Sequence, residues 1–124
     1  MTQISQHFNS VTDNMQCPCC NAFIFEQAFI NRVEVLRKLM NVPFNLDKRG
    51  GGFYRCRLYQ ESIGGVKNSQ HTLGNAMDVL THGWDAHLKW KFIKEATALG
   101  LSIGIYSTFF HVDFRGGNPV TWLG

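Results

Sequence analysis

Three residues in this chain have the side chains and the spacing to share one metal ion: His71, Asp78 and His111. His71 and Asp78 stand seven positions apart inside Ser69-Gln70-His71-Thr72-Leu73-Gly74-Asn75-Ala76-Met77-Asp78, and His111 follows downstream in His111-Val112-Asp113. Two donor atoms on one zinc ion sit only about 3 Å apart, because each bond is roughly 2.0–2.2 Å. Seven residues of helix would separate two side chains by roughly 10 Å, and seven of strand by more than about 20 Å. The first two residues can therefore meet on one ion only if the chain doubles back between them. Leu73-Gly74-Asn75 offers that turn, because Gly and Asn tolerate positive φ. Two imidazoles and one carboxylate leave the fourth position of a tetrahedral zinc open and the ion net positive. That is a catalytic layout, in which a water is acidified toward a pKa of about 7 and can attack a carbonyl.

The elements that must position these residues follow from periodicity. Residues 76–80 read as a short strand, with Asp78 facing away from Met77 and Val79. Residues 109–114 read as another, with His111 and Asp113 on one face and Phe110, Val112 and Phe114 on the other. Residues 101–105 pair with it as an antiparallel strand through Tyr106-Ser107-Thr108. A first helix is predicted over residues 23–41, where Phe25, Phe29, Val33, Leu36 and Met40 form one apolar stripe. Glu34 and Lys38 then make an i,i+4 pair on its wet face, and Val42-Pro43 ends it. A short helix follows over about residues 57–63, stopped by Gly64-Gly65. A longer one covers residues 84–99, with Trp84, Leu88, Phe92, Ala96 and Leu99 turned inward and Gly100 capping it. Residues 1–16 are polar and irregular, a loosely packed lead-in with His7 on its surface; His82 and His87 are surface residues too. Trp122 is expected to plug the core. The class is α+β, a small antiparallel sheet packed with helices in one domain spanning residues 1–124.

Composition narrows the function. The chain has 124 residues, 44% hydrophobic and 17% charged, as expected of a globular domain with a sizeable core. A net charge of +3 and no long Lys or Arg run give no support to nucleic-acid binding, though a mild positive excess suits an anionic polymer such as a bacterial wall. No stretch approaches the ~18 apolar residues of a membrane span, and residues 1–16 lack the basic start and apolar core of a signal peptide. The expectation is synthesis in a cytosol.

The ordered set Tyr54-Arg55-Cys56, Tyr59, Gly64-Gly65, Ser69 through Asp78, Gly104-Ile105-Tyr106, His111-Val112-Asp113, Arg115-Gly116 and Trp122 resembles one family. It is similar to the zinc D-alanyl-D-alanine carboxypeptidases and related phage endolysins, whose fold is shared with the hedgehog signalling domain. The resemblance covers roughly residues 20–124. It implies a monomeric zinc peptidase acting on the stem peptide of peptidoglycan, reaching the wall after lysis or by delivery in a virion. The alternative is a non-catalytic binding module or virion component of the same fold. His71, Asp78 and His111 would be the zinc ligands. Related enzymes use a carboxylate near the last His as general base; Thr108 stands where some carry an acidic residue, and residues 105–110 offer none. Asp113 is then the expected base, with orientation of a ligand imidazole as its other possible role. Arg55 is expected to hold a substrate carboxylate. Ser69 either bonds substrate or stabilises the turn before His71, and Tyr106 either stabilises the oxyanion or packs. Arg115 is expected to be structural. This chain has Gly52-Phe53-Tyr54-Arg55 where the pattern has Ser-Gly-Tyr-Arg, and Gln60 where Asn is usual.

Cys17, Cys19, Cys20 and Cys56 remain. Zinc knuckles normally use two separated ligand pairs, and here only Cys56 could complete a set. Buried reduced thiols lead, with a disulfide from the cluster to Cys56 and a four-cysteine zinc site as alternatives. Cys17-Pro18-Cys19-Cys20 resembles a Cys-containing segment that precedes the first helix in many family members.

Overall fold

Alternation of apolar and polar residues builds the sheet that carries the site. In the computed structural model, which describes residues 2–66 and 68–124, four strands form one sheet in the order β1-β3-β2-β4. These are β1 (Ala76–Leu80), β2 (Ser102–Ile105), β3 (Phe109–Asp113) and β4 (Thr121–Leu123). β3 lies between β1 and β2 and is antiparallel to both. β4 pairs with β2 in parallel. The sheet is thus mixed, whereas the sequence predicts a purely antiparallel one. Residues 114–120 reverse the chain after β3 and carry it past β2, so β4 runs along β2 rather than against it. Three residues are too few to show a strand period in sequence.

One face of the sheet is core. Met77, Val79, Ile103, Phe110 and Val112 are buried there with Phe29, Val33 and Leu36 of α1 (Gln27–Met40) and Phe92 and Ala96 of α3 (Ala86–Ala98). Burying side chains of this size contributes about 1.5–3 kcal/mol each. The predicted stripe of α1 holds from Phe29 onward, but the helix begins later than expected. Phe25 lies outside it and is 37% exposed. The N–H of Glu26 donates to the Gly74 carbonyl, and Phe23 stacks on Phe25 and tilts against Phe53. Residues 23–26 therefore tie the helix to the metal-motif turn instead of extending the helix. Asn41 ends α1 in the left-handed region, one residue before Val42-Pro43. α3 starts two residues later than predicted because Asp85 caps it, its carboxylate accepting from the N–H of Leu88. Trp84 packs across Phe44, Phe92 and Phe110.

Two expectations are corrected at the N-terminus. Residues 2–16 are no loose lead-in: Phe8 and Met15 are 1% and 0% exposed, and Phe8 packs on Phe44. Two isolated hydrophobes among polar neighbours carry no period, which hid them. Glu34 is not on a wet face either, nor is His7 a free surface residue. Glu34 is 7% exposed and accepts from Ser5 Oγ, the His7 N–H and His7 Nδ1, at 2.6–2.7 Å. Its partner comes from the N-terminal segment, not from Lys38. Among the described residues, no helix is long and apolar enough to cross a membrane.

Candidate metal centre

Strand register places two of the three predicted ligands. Asp78 on β1 lies directly opposite His111 on β3, and His111 lies opposite Gly104 on β2. Gly104 in turn pairs with Trp122 on β4. Asp78, His111, Gly104 and Trp122 so form one row across the face away from the core. A Cβ on Gly104 would sit 2.6 Å from the Trp122 indole, so glycine is what lets that ring reach within 5.4 Å of the His111 ring. Trp122 does not plug the core as expected; it walls the site.

His71 arrives by the predicted turn. It lies in a 3-10 helix over Gln70–Leu73, which ends at Gly74 with φ 66. A Cβ there would run into the Ile24 carbonyl, so no other residue fits. Asn75 serves differently from the expectation, its amide donating to Gln70 Oε1 and the Phe114 carbonyl at 2.7 Å.

The three side chains converge. His71 Nε2 is 3.2 Å and His111 Nδ1 is 2.9 Å from Asp78 Oδ1, and the three donor atoms lie within 4.8 Å of one another. Donors on tetrahedral zinc lie roughly 3.3–3.5 Å apart. The far side of each ligand is held as well. His71 Nδ1–H donates to the Phe53 carbonyl at 2.6 Å, and His111 Nε2–H donates to Asp113 Oδ2 at 2.7 Å. A carbonyl can only accept, so the neutral His71 ring points its Nε2 lone pair at a carboxylate oxygen. Lone pairs from two rings and a carboxylate facing one point repel unless a cation lies between them. The donor set therefore fits a divalent metal, and two imidazoles with one carboxylate fit zinc.

Protons on the rings can take the place of that cation, and the charges around the site show the same attraction between imidazole and carboxylate. Burial alone would raise the Asp78 carboxyl, but His71 and His111 beside it hold it far below the ordinary range. Burial opposes charge on His111, yet Asp113 and Asp78 raise its pKa. Asp113 is 0% exposed; burial pushes it up, and Arg115 and His111 outweigh that and bring it to about 2. Its oxygens are engaged by Arg115 Nε at 2.9 Å, Arg115 Nη2 at 2.7 Å and the His111 ring. To take a proton from a water it would have to release one of these donors, Arg115 or His111. This geometry favours the second of its two expected roles, orienting His111, over the first.

The cluster opens into a cavity of about 530 Å³ lined by Arg55, Ser69, Tyr106, Phe109, Arg115 and Trp122 among others. Arg55 donates from Nη2 to Asp78 Oδ2 at 3.0 Å, from Nε to the Gly51 carbonyl at 2.6 Å and from Nη1 to Gln60 Oε1 at 3.2 Å. Gln60, in the place noted for Asn, thus fixes Arg55. Ser69 Oγ accepts from the His71 N–H, which places it in the turn. Tyr106 stacks on Phe109 at 4.5 Å and accepts from Trp122 Nε1 at 3.0 Å. Arg115, expected to be structural, holds Asp113 and also lines the cavity and lies over Trp122. Among the described residues, Asp78 and Asp113 are the carboxylates lining this cavity.

Comparison with curated proteins and with solved structures finds no match. A family model does match, over residues 8–113, and it spans both the motif turn and the β3 ligand. A metal-fitting His-Asp-His cluster within a match of that extent supports a metallopeptidase, and the chain belongs to the Peptidase M15 family.

Proposed function

We propose that the chain is a zinc peptidase that hydrolyses an amide bond in the stem peptide of bacterial peptidoglycan. It would work as a monomer, as a D,D-carboxypeptidase or an L-alanyl-D-glutamate endopeptidase of the phage endolysin kind. The observation that carries this reading is the convergence of His71 Nε2, Asp78 Oδ1 and His111 Nδ1 at a cavity flanked by Arg55 and Arg115. His71, Asp78 and His111 would hold the zinc, which would supply Lewis-acid polarisation of the scissile carbonyl and activation of the attacking water.

The protein's own residues do the rest. A guanidinium has five N–H donors, and Arg55 engages three of them within the protein. One hydrogen on each of Nη1 and Nη2 is left for a substrate carboxylate, the paired geometry that a carboxylate matches. Tyr106 accepts from Trp122 and keeps its own O–H to donate to the developing oxyanion. Ser69 likewise keeps its hydroxyl hydrogen for the peptide. Asp113, with Arg115 behind it, holds the His111 ring so that Nδ1 faces the metal position.

The test is mass spectrometry of products from purified peptidoglycan. Release of terminal D-alanine marks a carboxypeptidase, and a new amino terminus on D-glutamate marks the endopeptidase. Amidating the terminal D-alanine carboxylate abolishes the first and leaves the second. Zinc-loaded protein that binds the wall yet releases nothing would be a binding module, and the proposal would fail.

A further inference from the structure

Three cysteines clustered at residues 17–20 and the distant Cys56, all unused by the cleft, meet in space. Their Sγ atoms lie within 4.8 Å of one another, and none is joined to another. Cys19 Sγ is 3.6 Å from Cys17 Sγ and 3.2 Å from Cys56 Sγ. Four sulfurs on a tetrahedral zinc with bonds of ~2.3 Å would lie about 3.8 Å apart. A disulfide would use two of them and leave two; this arrangement gathers all four around one point.

The backbone is shaped for that gathering. The Cys17 N–H donates to the Ala22 carbonyl at 2.8 Å and the Asn21 N–H to the Cys17 carbonyl at 2.9 Å, with Asn21 at φ 60. This turn carries three of the sulfurs. Cys56 comes from the start of α2 (Arg57–Ser62), where it is the N-cap residue. Two amides aim at sulfur: the Cys56 N–H donates to Cys17 Sγ at 3.3 Å and the Tyr59 N–H to Cys56 Sγ at 3.4 Å. N–H groups directed at sulfur favour the thiolate, the form that ligates.

We propose that Cys17, Cys19, Cys20 and Cys56 bind a structural zinc ion distinct from the one in the cleft. A closed set of four thiolates suits zinc and leaves no open position for chemistry. Each sulfur gives up its proton on ligation, so binding strengthens as pH rises. The ion staples the residue 17–22 turn to the segment that follows Gly50, where a Cβ would sit 3.0 Å from Pro18. That segment supplies the Phe53 carbonyl that holds His71 and the Arg55 guanidinium that holds Asp78. The structural zinc therefore braces the cleft from behind.

The test is metal content of the full chain. Elemental analysis of desalted wild type should give two zinc ions per chain, and Cys19→Ser, Cys56→Ser and His71→Ala should each give one. Because a serine variant can misfold, chelator-stripped, reduced wild type and His71→Ala are also titrated with cobalt(II). Both should develop intense sulfur-to-cobalt charge-transfer absorption. One zinc per chain with four thiols freely reactive in the native protein overturns the proposal, as does cobalt binding without charge transfer. One zinc with the charge-transfer band intact in both proteins supports the cysteine site and counts against the cleft site instead.

Discussion

The cleft cluster and the cysteine cluster are assembled by opposite means. Asp78 and His111 are cross-strand neighbours, so their distance is set by the ladder of β1 and β3 and by the hydrophobic face beneath it. The cysteines rest on a turn and a helix start, with Cys19 and Cys20 exposed and only Cys17 fully buried. The first cluster has three donors and a cavity beside it; the second has four donors, none of which lines that cavity. A sheet can hold a reactive arrangement without the ion, because the core fixes the register. The cysteine turn has a few backbone bonds and one buried side chain, so the proposed ion would contribute a larger share of its stability. The comparison teaches that one cluster should govern turnover and the other should govern stability.

The sharpest break of that division is a pair of variants. His71→Ala should lower hydrolysis by more than the ~10²–10³-fold that loss of one oxyanion donor costs, with melting temperature near wild type. Cys56→Ser should do the reverse, lowering the melting temperature by at least ~5 °C, the scale of a kcal/mol or two, while the zinc-loaded cleft still turns over. Calorimetry and a peptidoglycan assay on the same preparations check both. Equal effects on both readouts would erase the distinction.

Asp113→Asn sharpens the cleft side. If Asp113 orients His111, zinc affinity should fall about 10–100-fold, and turnover at zinc saturation should stay within a few-fold of wild type. A fall of ~10²-fold or more at full zinc occupancy would assign the proton transfer to Asp113 instead. Competition with a zinc chelator and kcat at saturating zinc separate the two.

Arg55→Lys keeps the charge but not the planar fork. It should lower kcat/KM by the equivalent of about 1.5–3 kcal/mol. Unchanged kcat/KM on every peptide tried would make Arg55 purely a support for Asp78. Gly104→Ala should destabilise the fold by about 1–3 kcal/mol, because the added methyl meets the Trp122 ring. Denaturant unfolding would reveal it.

The smallest effect lies outside both clusters. Burial alone would raise the Glu34 carboxyl, but bonds from Ser5 and His7 leave it below its ordinary value. A depressed folded pKa contributes stability above the ordinary glutamate range, and that stability is lost as pH falls through the folded value. Melting temperature should therefore drop less between neutral and acid pH in Glu34→Gln than in wild type.

Much of the cleft was legible because its spacing has a physical consequence. A His and an Asp seven apart cannot meet on a straight element, so Gly74 had to turn the chain, and period two then assigned the faces of β1 and β3. What stayed hidden lacked period or locality. Trp122 sits on a three-residue strand, and its role depends on the bare Cα of Gly104 across the ladder. Phe8 and Met15 bury singly, and Glu34 finds its partner in the N-terminal segment rather than one helical turn away. Cys56 was legible as the one residue that could complete a set with Cys17, Cys19 and Cys20, but only the fold, by placing the start of α2 beside that turn, brings the four sulfurs together.

The central claim is that His71, Asp78 and His111 share one zinc ion, and anomalous diffraction at the zinc edge tests it most directly. Crystals of the zinc-replete protein should show an anomalous peak at the meeting point of His71 Nε2, Asp78 Oδ1 and His111 Nδ1, absent in His71→Ala. Zinc-replete crystals without a peak there would contradict it.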